Sequence, residues 1–256
     1  MTDVAHKLRD HLHSLFPPTV HAGPAMGLRI GRAEASADYQ LGTNELPVQI
    51  AIADTLAAGD VFFDVGANVG FFSLLAGRIV GPSGAVLAFE PVPANAARIR
   101  ANARRNGLAN IDVLEVALSD AAGTTTLLLA AHPGGAAVAS AGAPPDAIGS
   151  IDVTTATVDD LIDAGRVRPP TLVKIDVEGA ESEVLEGMER TLRAHRPVVI
   201  CEIDGEEPGA LAAKRSRILG LLRAAGYTIE DLSPSYPGSA WLVEHVVARP
   251  AGGGMR

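Results

Sequence analysis

The sequence contains little cysteine, few aromatic residues and no excess of positive charge. Its one cysteine, Cys201, excludes an internal disulfide and a zinc site built from several cysteines. This cysteine follows the apolar run 197–200, so we expect a buried, unreactive thiol. Aromatic residues make up 4% of the chain and the net charge is −9, which disfavours stacking on exposed bases and repels a phosphate backbone. These absences exclude nucleic acid as the expected partner.

Long apolar segments are also missing. Residues 1–16 carry charges and histidines and lack the continuous apolar region of a signal peptide. Val4, Leu8, Leu12 and Leu15 recur at helical spacing and predict a short amphipathic helix there. No apolar stretch reaches the ~18 residues that a membrane span needs. We therefore expect a cytoplasmic protein without a membrane span.

The chain does contain a regular alternation of strand and helix patterns. A hydrophobic fraction of 47% over 256 residues is enough for one large, well-filled domain with an extension. Apolar runs predict strands at 61–65, 85–89, 111–116, 172–176, 197–203, 226–229 and 240–248, with helices between them. Segments 124–129 and 151–156 predict a hairpin beside the core. This order predicts an α/β fold with a parallel, doubly wound sheet.

The chain divides into a helix and cap region at 1–44, a main domain at 45–250 and a flexible tail at 251–256. Segment 132–146 is rich in glycine, alanine and proline and predicts a long loop, either a lid over the site or a featureless connection. With the cap, this loop is expected to choose the substrate, and His132 within it is a candidate for contacting that substrate or for acting as a base.

The stretch 61–70 predicts a strand, a glycine turn and the start of a helix. Asn68 stands where the dinucleotide motif G-x-G-x-x-G requires glycine, and Asp64 would oppose a pyrophosphate. Glu90 lies 20 residues beyond Gly70 (90 − 70) and ends the neighbouring strand, where its carboxylate can accept both ribose hydroxyls. These features favour S-adenosylmethionine over NAD, with the alternative that Glu90 only caps the following helix.

Four acidic residues follow or end predicted strands: Asp64, Glu90, Asp176 and Glu202. The carboxyl ends of parallel strands meet at one edge of a doubly wound sheet, which is where such sheets bind ligands. The sequence therefore predicts a site that collects several carboxylates.

The chain resembles the FkbM family of S-adenosylmethionine-dependent methyltransferases over about residues 45–204. The resemblance rests on Phe63 to Gly70, Phe89-Glu90-Pro91, Val116 to Asp120, Val173 to Glu181, Val184-Leu185 and the segment from Arg196 to Glu202. The block Lys174-Ile175-Asp176-Val177-Glu178-Gly179-Ala180-Glu181 is the most specific of these; the glycine turn is shared by most class I methyltransferases.

The resemblance implies a seven-stranded, Rossmann-like class I methyltransferase fold. It also implies methyl transfer to a hydroxyl of a saccharide or secondary metabolite, with a small molecule or glycan as acceptor. Carried over to this chain, Asp64, Gly66, Asn68 and Gly70 would line the methionine part of S-adenosylmethionine and Glu90 the ribose. Ser119 and Asp120 would lie near the adenine.

Asp176 and Glu202 end adjacent predicted strands and are candidates for the base that accepts the hydroxyl proton. With Glu178 or Glu181 they are alternatively candidate ligands for Mg²⁺, which prefers oxygen. Lys174 lies two residues before Asp176 and so on the same strand face, either as an electrostatic partner or as a base with a lowered pKa.

Two other functions remain open at this stage, as does homo-oligomer formation. A nicotinamide-dependent oxidoreductase is disfavoured by the missing glycine and by the lack of a Tyr-x-x-x-Lys pair. A non-catalytic domain that keeps the fold is the other alternative.

Overall fold

The computed structural model describes residues 18–32, 36–130, 136–138, 147–205, 207–236 and 242–252. The amphipathic helix expected near the N-terminus, His132 with most of its loop, and the end of the expected tail lie outside these residues. Within the described ranges, no helix combines the length and apolar character that crossing a membrane requires.

Helices and strands alternate along the chain. The described helices are α1 (Ala37–Leu41), α2 (Leu46–Thr55), α3 (Phe71–Val80), α4 (Pro93–Arg105), α5 (Val158–Asp163), α6 (Glu181–Glu186), α7 (Glu189–Ala194) and α8 (Pro208–Ala224). The described strands are β1 (Val61–Val65), β2 (Ala85–Phe89), β3 (Ile111–Leu114), β4 (Ala117–Leu118), β5 (Gly123–Ala130), β6 (Ala136–Val138), β7 (Ala147–Ala156), β8 (Leu172–Ile175), β9 (Val198–Gly205), β10 (Tyr227–Asp231) and β11 (Leu242–Pro250).

Seven strands form the main sheet in the order β10-β11-β9-β8-β1-β2-β3. The strands from β9 to β3 in that order are parallel, and β11 runs antiparallel to both of its neighbours. The predicted α/β class and doubly wound, mostly parallel sheet are confirmed. The strand order reverses at β1, so the carboxyl ends of β1, β2 and β8 meet at the switch point where such sheets bind ligands.

A second, smaller sheet follows the order β4-β7-β5-β6. Its β5 and β7 pair antiparallel, as expected for the hairpin predicted from segments 124–129 and 151–156. The short β4 joins this sheet through parallel pairing with β7. The residues that lead out of the main sheet after β3 therefore pass directly into the second sheet.

Hydrophobic side chains cover both faces of the main sheet. Neighbouring residues along a strand enter different core clusters: Phe62 packs with Leu74 and Ile52, and Phe63 packs with Val173 and Met188. Burial on both faces explains why the strands are continuous apolar runs rather than alternating patterns. The predicted burial of Cys201 is confirmed, and burial raises the pKa of its thiol well above the usual range.

The described part of the cap packs onto this core. Val20, Leu28 and Ile30 are buried in the same cluster as residues of α2 and α3. Asn102 on α4 links the two regions, since its side-chain oxygen accepts a hydrogen bond from the Gly31 amide and its nitrogen donates to the Val69 carbonyl. The cap is thereby fixed close to the turn that follows β1.

The helix predicted after β8 is divided into α6 and α7. At the break, a Cβ on Gly187 would lie 1.9 Å from the carbonyl oxygen of Ser119, so only glycine lets the two backbones approach this closely. The break thus places the segment that follows β4 against the C-terminal end of α6.

Candidate functional site

The turn after β1 packs directly against the end of β8. Gly66 has a φ of +77°, and a Cβ there would lie 1.7 Å from the carbonyl oxygen of Asp176. Asn68 also adopts a positive φ, of +52°, which asparagine tolerates better than most residues. The turn therefore brings two predicted site segments, 64–70 and 174–178, into contact.

A cleft of about 670 Å³ opens at the carboxyl ends of β1, β2 and β8. Polar side chains in its wall are Asn68, Glu90, Asp176 and Glu178, and the apolar part of the wall includes Phe89, Val116, Leu118 and Leu127. Leu127 comes from the second sheet, a contribution for which the sequence offered no signal.

Glu90 is nearly buried, at 5% exposure, and its two oxygens face different backbone groups. Oε2 accepts a hydrogen bond from the Asn68 amide at 2.8 Å, and Oε1 accepts one from the Val92 amide at 2.9 Å. The Val92 bond at the start of α4 agrees with the capping alternative, but the Asn68 bond ties Glu90 to the glycine turn as well. Burial raises the pKa of Glu90 to about 7.

Four predicted cofactor residues lie close to the cleft without forming its wall. Asp64 is completely buried and accepts a hydrogen bond from the Ser73 hydroxyl at 2.5 Å, and burial raises its pKa. Gly70 is the N-cap residue of α3 and faces Ile99. Ser119 donates to Asp120 at 3.0 Å, just beyond Leu118 of the wall. Gly66, Asn68 and Glu90 are the predicted cofactor residues that reach the wall itself.

Lys174 and Asp176 form a close ion pair, with Nζ 2.6 Å from Oδ2. The Lys174 side chain is 3% exposed and also lies over the Phe72 ring. Burial opposes the ammonium charge, but the carboxylates of Asp176, Glu45 and Asp64 outweigh burial and raise the pKa of Lys174. Of the two roles considered for Lys174, this environment supports the electrostatic partner.

Glu202 forms a group with His245 and Glu45, two residues that were not predicted from the sequence as site residues. Its Oε2 lies 2.8 Å from Nε2 of His245, and Oε2 of Glu45 lies 3.2 Å from the same nitrogen. Burial and the Asp176 charge raise the pKa of Glu202 to about 8. The two carboxylates outweigh burial and raise the pKa of His245 to about 9. His245 lies opposite Glu202 in the β9–β11 register, so the pairing of the seventh strand would have revealed it; Glu45 gave no local signal.

The three predicted Mg²⁺ ligands, Asp176, Glu202 and Glu178, do not assemble as one group in the described residues. Asp176 pairs with Lys174, Glu202 with His245, and Glu178 lines the cleft. The alternative ligand Glu181 accepts a hydrogen bond from the Gly179 amide and lies 3.6 Å from Lys214. Magnesium at Asp176, Glu202 and Glu178 therefore lacks support.

Comparison with known proteins shows that the chain is similar to methyltransferases. A family model described as the methyltransferase FkbM domain matches residues 64–229. The chain is 32% identical over 226 residues to 31-O-demethyl-FK506 methyltransferase FkbM of Streptomyces tacrolimicus, covering 77% of this chain and 84% of that protein. It is also 32% identical over 149 residues to the hexuronic acid methyltransferase AglP of Haloferax volcanii, covering 58% of each.

A solved structure supports the same fold. The O-methyltransferase TomG of Streptomyces achromogenes, determined in complex with S-adenosylmethionine, matches with a TM-score of 0.51 at 12% identity, over 86% of this chain and 82% of that one. The architecture is thus the Rossmann-like methyltransferase fold. The family match spans the turn after β1, Glu90 and the Lys174–Asp176 pair, and the chain belongs to the FkbM methyltransferase family.

Proposed function

We propose that the chain is an S-adenosylmethionine-dependent O-methyltransferase that acts on a hydroxyl group of a saccharide or a secondary metabolite. The observation that carries the proposal is the hydrogen bonding of Glu90. An ionised carboxylate offers about four lone pairs, and the Asn68 and Val92 amides occupy one on each oxygen. The Asn95 side chain also hydrogen-bonds to this carboxylate, and the lone pair that remains suits a ribose hydroxyl.

The other residues near the cleft fit the remainder of the cofactor. Gly66 and Asn68 would hold the methionine part, with Asp64 and Gly70 fixing the turn from behind. Leu118 and Leu127 offer apolar surface for the adenine, beside Ser119 and Asp120. When bound, S-adenosylmethionine supplies an electrophilic methyl group for in-line transfer, so that the protein must above all position the acceptor and accept its proton.

Asp176 is our candidate for the base. It lies in the cleft wall with its side chain 22% exposed, and Lys174 holds its Oδ2, which leaves Oδ1 to accept a proton from the acceptor hydroxyl. Lys174 also stabilises the carboxylate before the proton arrives. Glu202 remains the second candidate, because a carboxyl with a pKa near 8 can act as a base around neutral pH.

The acceptor class rests on the two relatives. One is named for methylating a demethylated FK506 and the other for methylating a hexuronic acid, and both kinds of molecule present hydroxyl groups. The net charge of −9 disfavours a nucleic acid as the acceptor.

The test measures methyl transfer from S-adenosylmethionine to a panel of hydroxylated macrolides and uronic-acid glycans. The products are detected by mass spectrometry. We expect at least one acceptor to gain a methyl group, and Asp176→Asn to lower kcat by about 10²–10⁴-fold while S-adenosylhomocysteine still binds. Asp163→Asn, a change of the same type at an exposed position on α5, serves as the control. The proposal fails if the wild type methylates nothing in the panel, and the role of Asp176 fails if its variant matches the control.

A further inference from the structure

The group formed by Glu45, Glu202 and His245 has an arrangement that methyl transfer with Asp176 as the base does not require. One ring nitrogen, Nε2 of His245, faces two carboxylate oxygens at once, at 2.8 Å and 3.2 Å. A ring N–H can point at one of these oxygens but not squarely at both. Two oxygens and one imidazole nitrogen directed at a common point are the donor types that bind divalent transition metals.

The spacing of these three atoms suits a metal ion. They all lie within 4.8 Å of one another. Ligand atoms about 2.0–2.1 Å from a tetrahedral ion are separated from each other by roughly 3.3 Å. Nε2 of His245, now 2.8 Å and 3.2 Å from the two oxygens, would therefore need to move away from them by only a few tenths of an ångström.

Each of two ligands is also oriented by a neighbour on its far side. The Ser235 hydroxyl lies 3.2 Å from Nδ1 of His245, which turns Nε2 towards the carboxylates. The Tyr236 hydroxyl donates to Oε1 of Glu45 at 3.3 Å, which leaves Oε2 facing the same point. Metal-binding histidines and carboxylates are characteristically held by such outer hydrogen bonds.

The buried carboxylates need a positive charge beside them. In the absence of a metal, His245 supplies that charge, because the two carboxylates raise the pKa of its ring. A divalent ion that displaces the ring proton would supply the charge instead. Glu45 and His245 have side-chain exposures of 9% and 1%, and Glu202, at 15%, is the most open of the three.

We propose that Glu45, Glu202 and His245 form a binding site for one divalent transition-metal ion of the Zn²⁺ type. Three protein ligands leave at least one coordination position for water or another oxygen ligand. None of the three residues is part of the cleft wall, so this proposal does not depend on methyl transfer with Asp176 as the base or on the acceptor.

The test is calorimetric titration of the full, chelator-stripped chain with ZnCl₂ and, separately, with MgCl₂. We expect one Zn²⁺ per chain, bound at least tenfold more tightly than Mg²⁺, because imidazole suits zinc better than magnesium. His245→Gln and Glu45→Gln should each weaken zinc binding by about 100-fold or more, and Ser235→Ala by about 10–100-fold. Substitution with Co²⁺ should give a visible absorption band that His245→Gln abolishes.

Two controls separate this site from adventitious binding. The combined variant His6→Asn/His11→Asn/His13→Asn removes the N-terminal histidines and should bind zinc like the wild type. Circular dichroism of each variant without metal verifies folding, and Ser235→Ala carries the test if the ligand variants do not fold. The proposal is overturned if the wild type binds no stoichiometric zinc, if Ser235→Ala and His245→Gln both bind like the wild type, or if binding disappears with the N-terminal histidines.

Discussion

At the scale of single residues, Glu90 joins two parts of the site. Its carboxylate accepts one amide from the glycine turn and one from the start of α4, so cofactor binding and turn geometry depend on the same side chain. Glutamine at this position offers one acceptor oxygen, and its NH₂ group would face a backbone N–H. We expect Glu90→Gln to weaken S-adenosylhomocysteine binding by about 10–100-fold, as measured by calorimetry, because charged hydrogen bonds to the ribose are lost.

The affinity for S-adenosylhomocysteine should also depend on pH, because binding requires the ionised form of Glu90. The pKa of Glu90 is raised to about 7, so the carboxyl is mostly protonated at pH 6 and mostly ionised at pH 8. Affinity should therefore rise about tenfold across that interval in the wild type, through linkage to this one proton. The rise should be absent in Glu90→Gln and kept in Glu115→Gln, whose side chain is 41% exposed. Equal pH profiles in the wild type and Glu90→Gln would contradict the assignment.

Gly66 allows the closest backbone approach in the site. Gly66→Ala would introduce a Cβ 1.7 Å from the Asp176 carbonyl oxygen, at a position that also has a positive φ. Gly165→Ala is a matched control, because Gly165 has a φ of +64° but its Cβ would meet nothing within 4 Å. Urea unfolding should show a loss of about 1–2 kcal/mol for the control and at least ~4 kcal/mol for Gly66→Ala. Similar losses would mean that the turn can move away from β8.

Contacts between site residues that lie on the same strand could be predicted from the sequence. Lys174 and Asp176 are two residues apart, so strand geometry predicts the face they share, and their ion pair follows. The meeting of Glu45, Glu202 and His245 depends instead on the β9–β11 register and on the loop before α2. Such pairings are set by the tertiary fold, and the composition around Glu45 and His245 gave no indication of them.

At the scale of elements, one aspartate connects α5 to α7. Asp159 is 5% exposed and accepts hydrogen bonds from the Arg190 amide at 2.9 Å, the Thr191 amide at 2.8 Å and the Thr191 hydroxyl at 2.6 Å. These amides belong to the first turn of α7, where helix N–H groups lack partners within the helix. Asp159 therefore caps a helix about thirty positions further along the chain.

We expect Asp159→Ala to lower the free energy of unfolding by about 2–4 kcal/mol, because it leaves buried amides without an acceptor. Asp163→Ala removes an aspartate of the same helix whose side chain is 66% exposed and paired with Arg190. Exposed ion pairs contribute little, so this control should unfold nearly as the wild type does. Urea denaturation at neutral pH measures both. A loss in the control as large as that of Asp159→Ala would assign the effect to Arg190 rather than to the cap.

Some boundaries of helices and strands could be predicted from local sequence patterns, and others could not. The buried run at 85–89 predicted β2 with its observed limits, since a parallel strand covered on both faces is apolar throughout. The break between α6 and α7 was missed because Gly187 is required by the distant Ser119 backbone, which no local pattern reveals. The three-residue strand β6 was also missed, in a segment rich in alanine and glycine that carries no alternation.

At the scale of the whole molecule, the order of strands explains why the acidic residues share one edge. The parallel strands β1, β2, β8 and β9 deliver Asp64, Glu90, Asp176 and Glu202 towards the same side of the sheet. Glu90 and Asp176 line the cleft, whereas Asp64 and Glu202 do not reach its wall. This division follows from the fold, whereas the acceptor depends on surrounding segments that vary on a common scaffold.

Cofactor binding should therefore stabilise the whole chain, because the cleft is built from elements of both sheets. A ligand at 100 times its Kd adds about 2.7 kcal/mol to the free energy of unfolding if it binds the folded state alone. For a domain of this size, S-adenosylhomocysteine at that excess should raise the melting temperature by roughly 5–10 °C in scanning calorimetry. NAD⁺ at the same concentration should leave it unchanged, since Asn68 replaces the glycine that a pyrophosphate requires. Stabilisation by NAD⁺ but not by S-adenosylhomocysteine would favour an oxidoreductase, and stabilisation by neither would favour a domain that keeps the fold without the reaction.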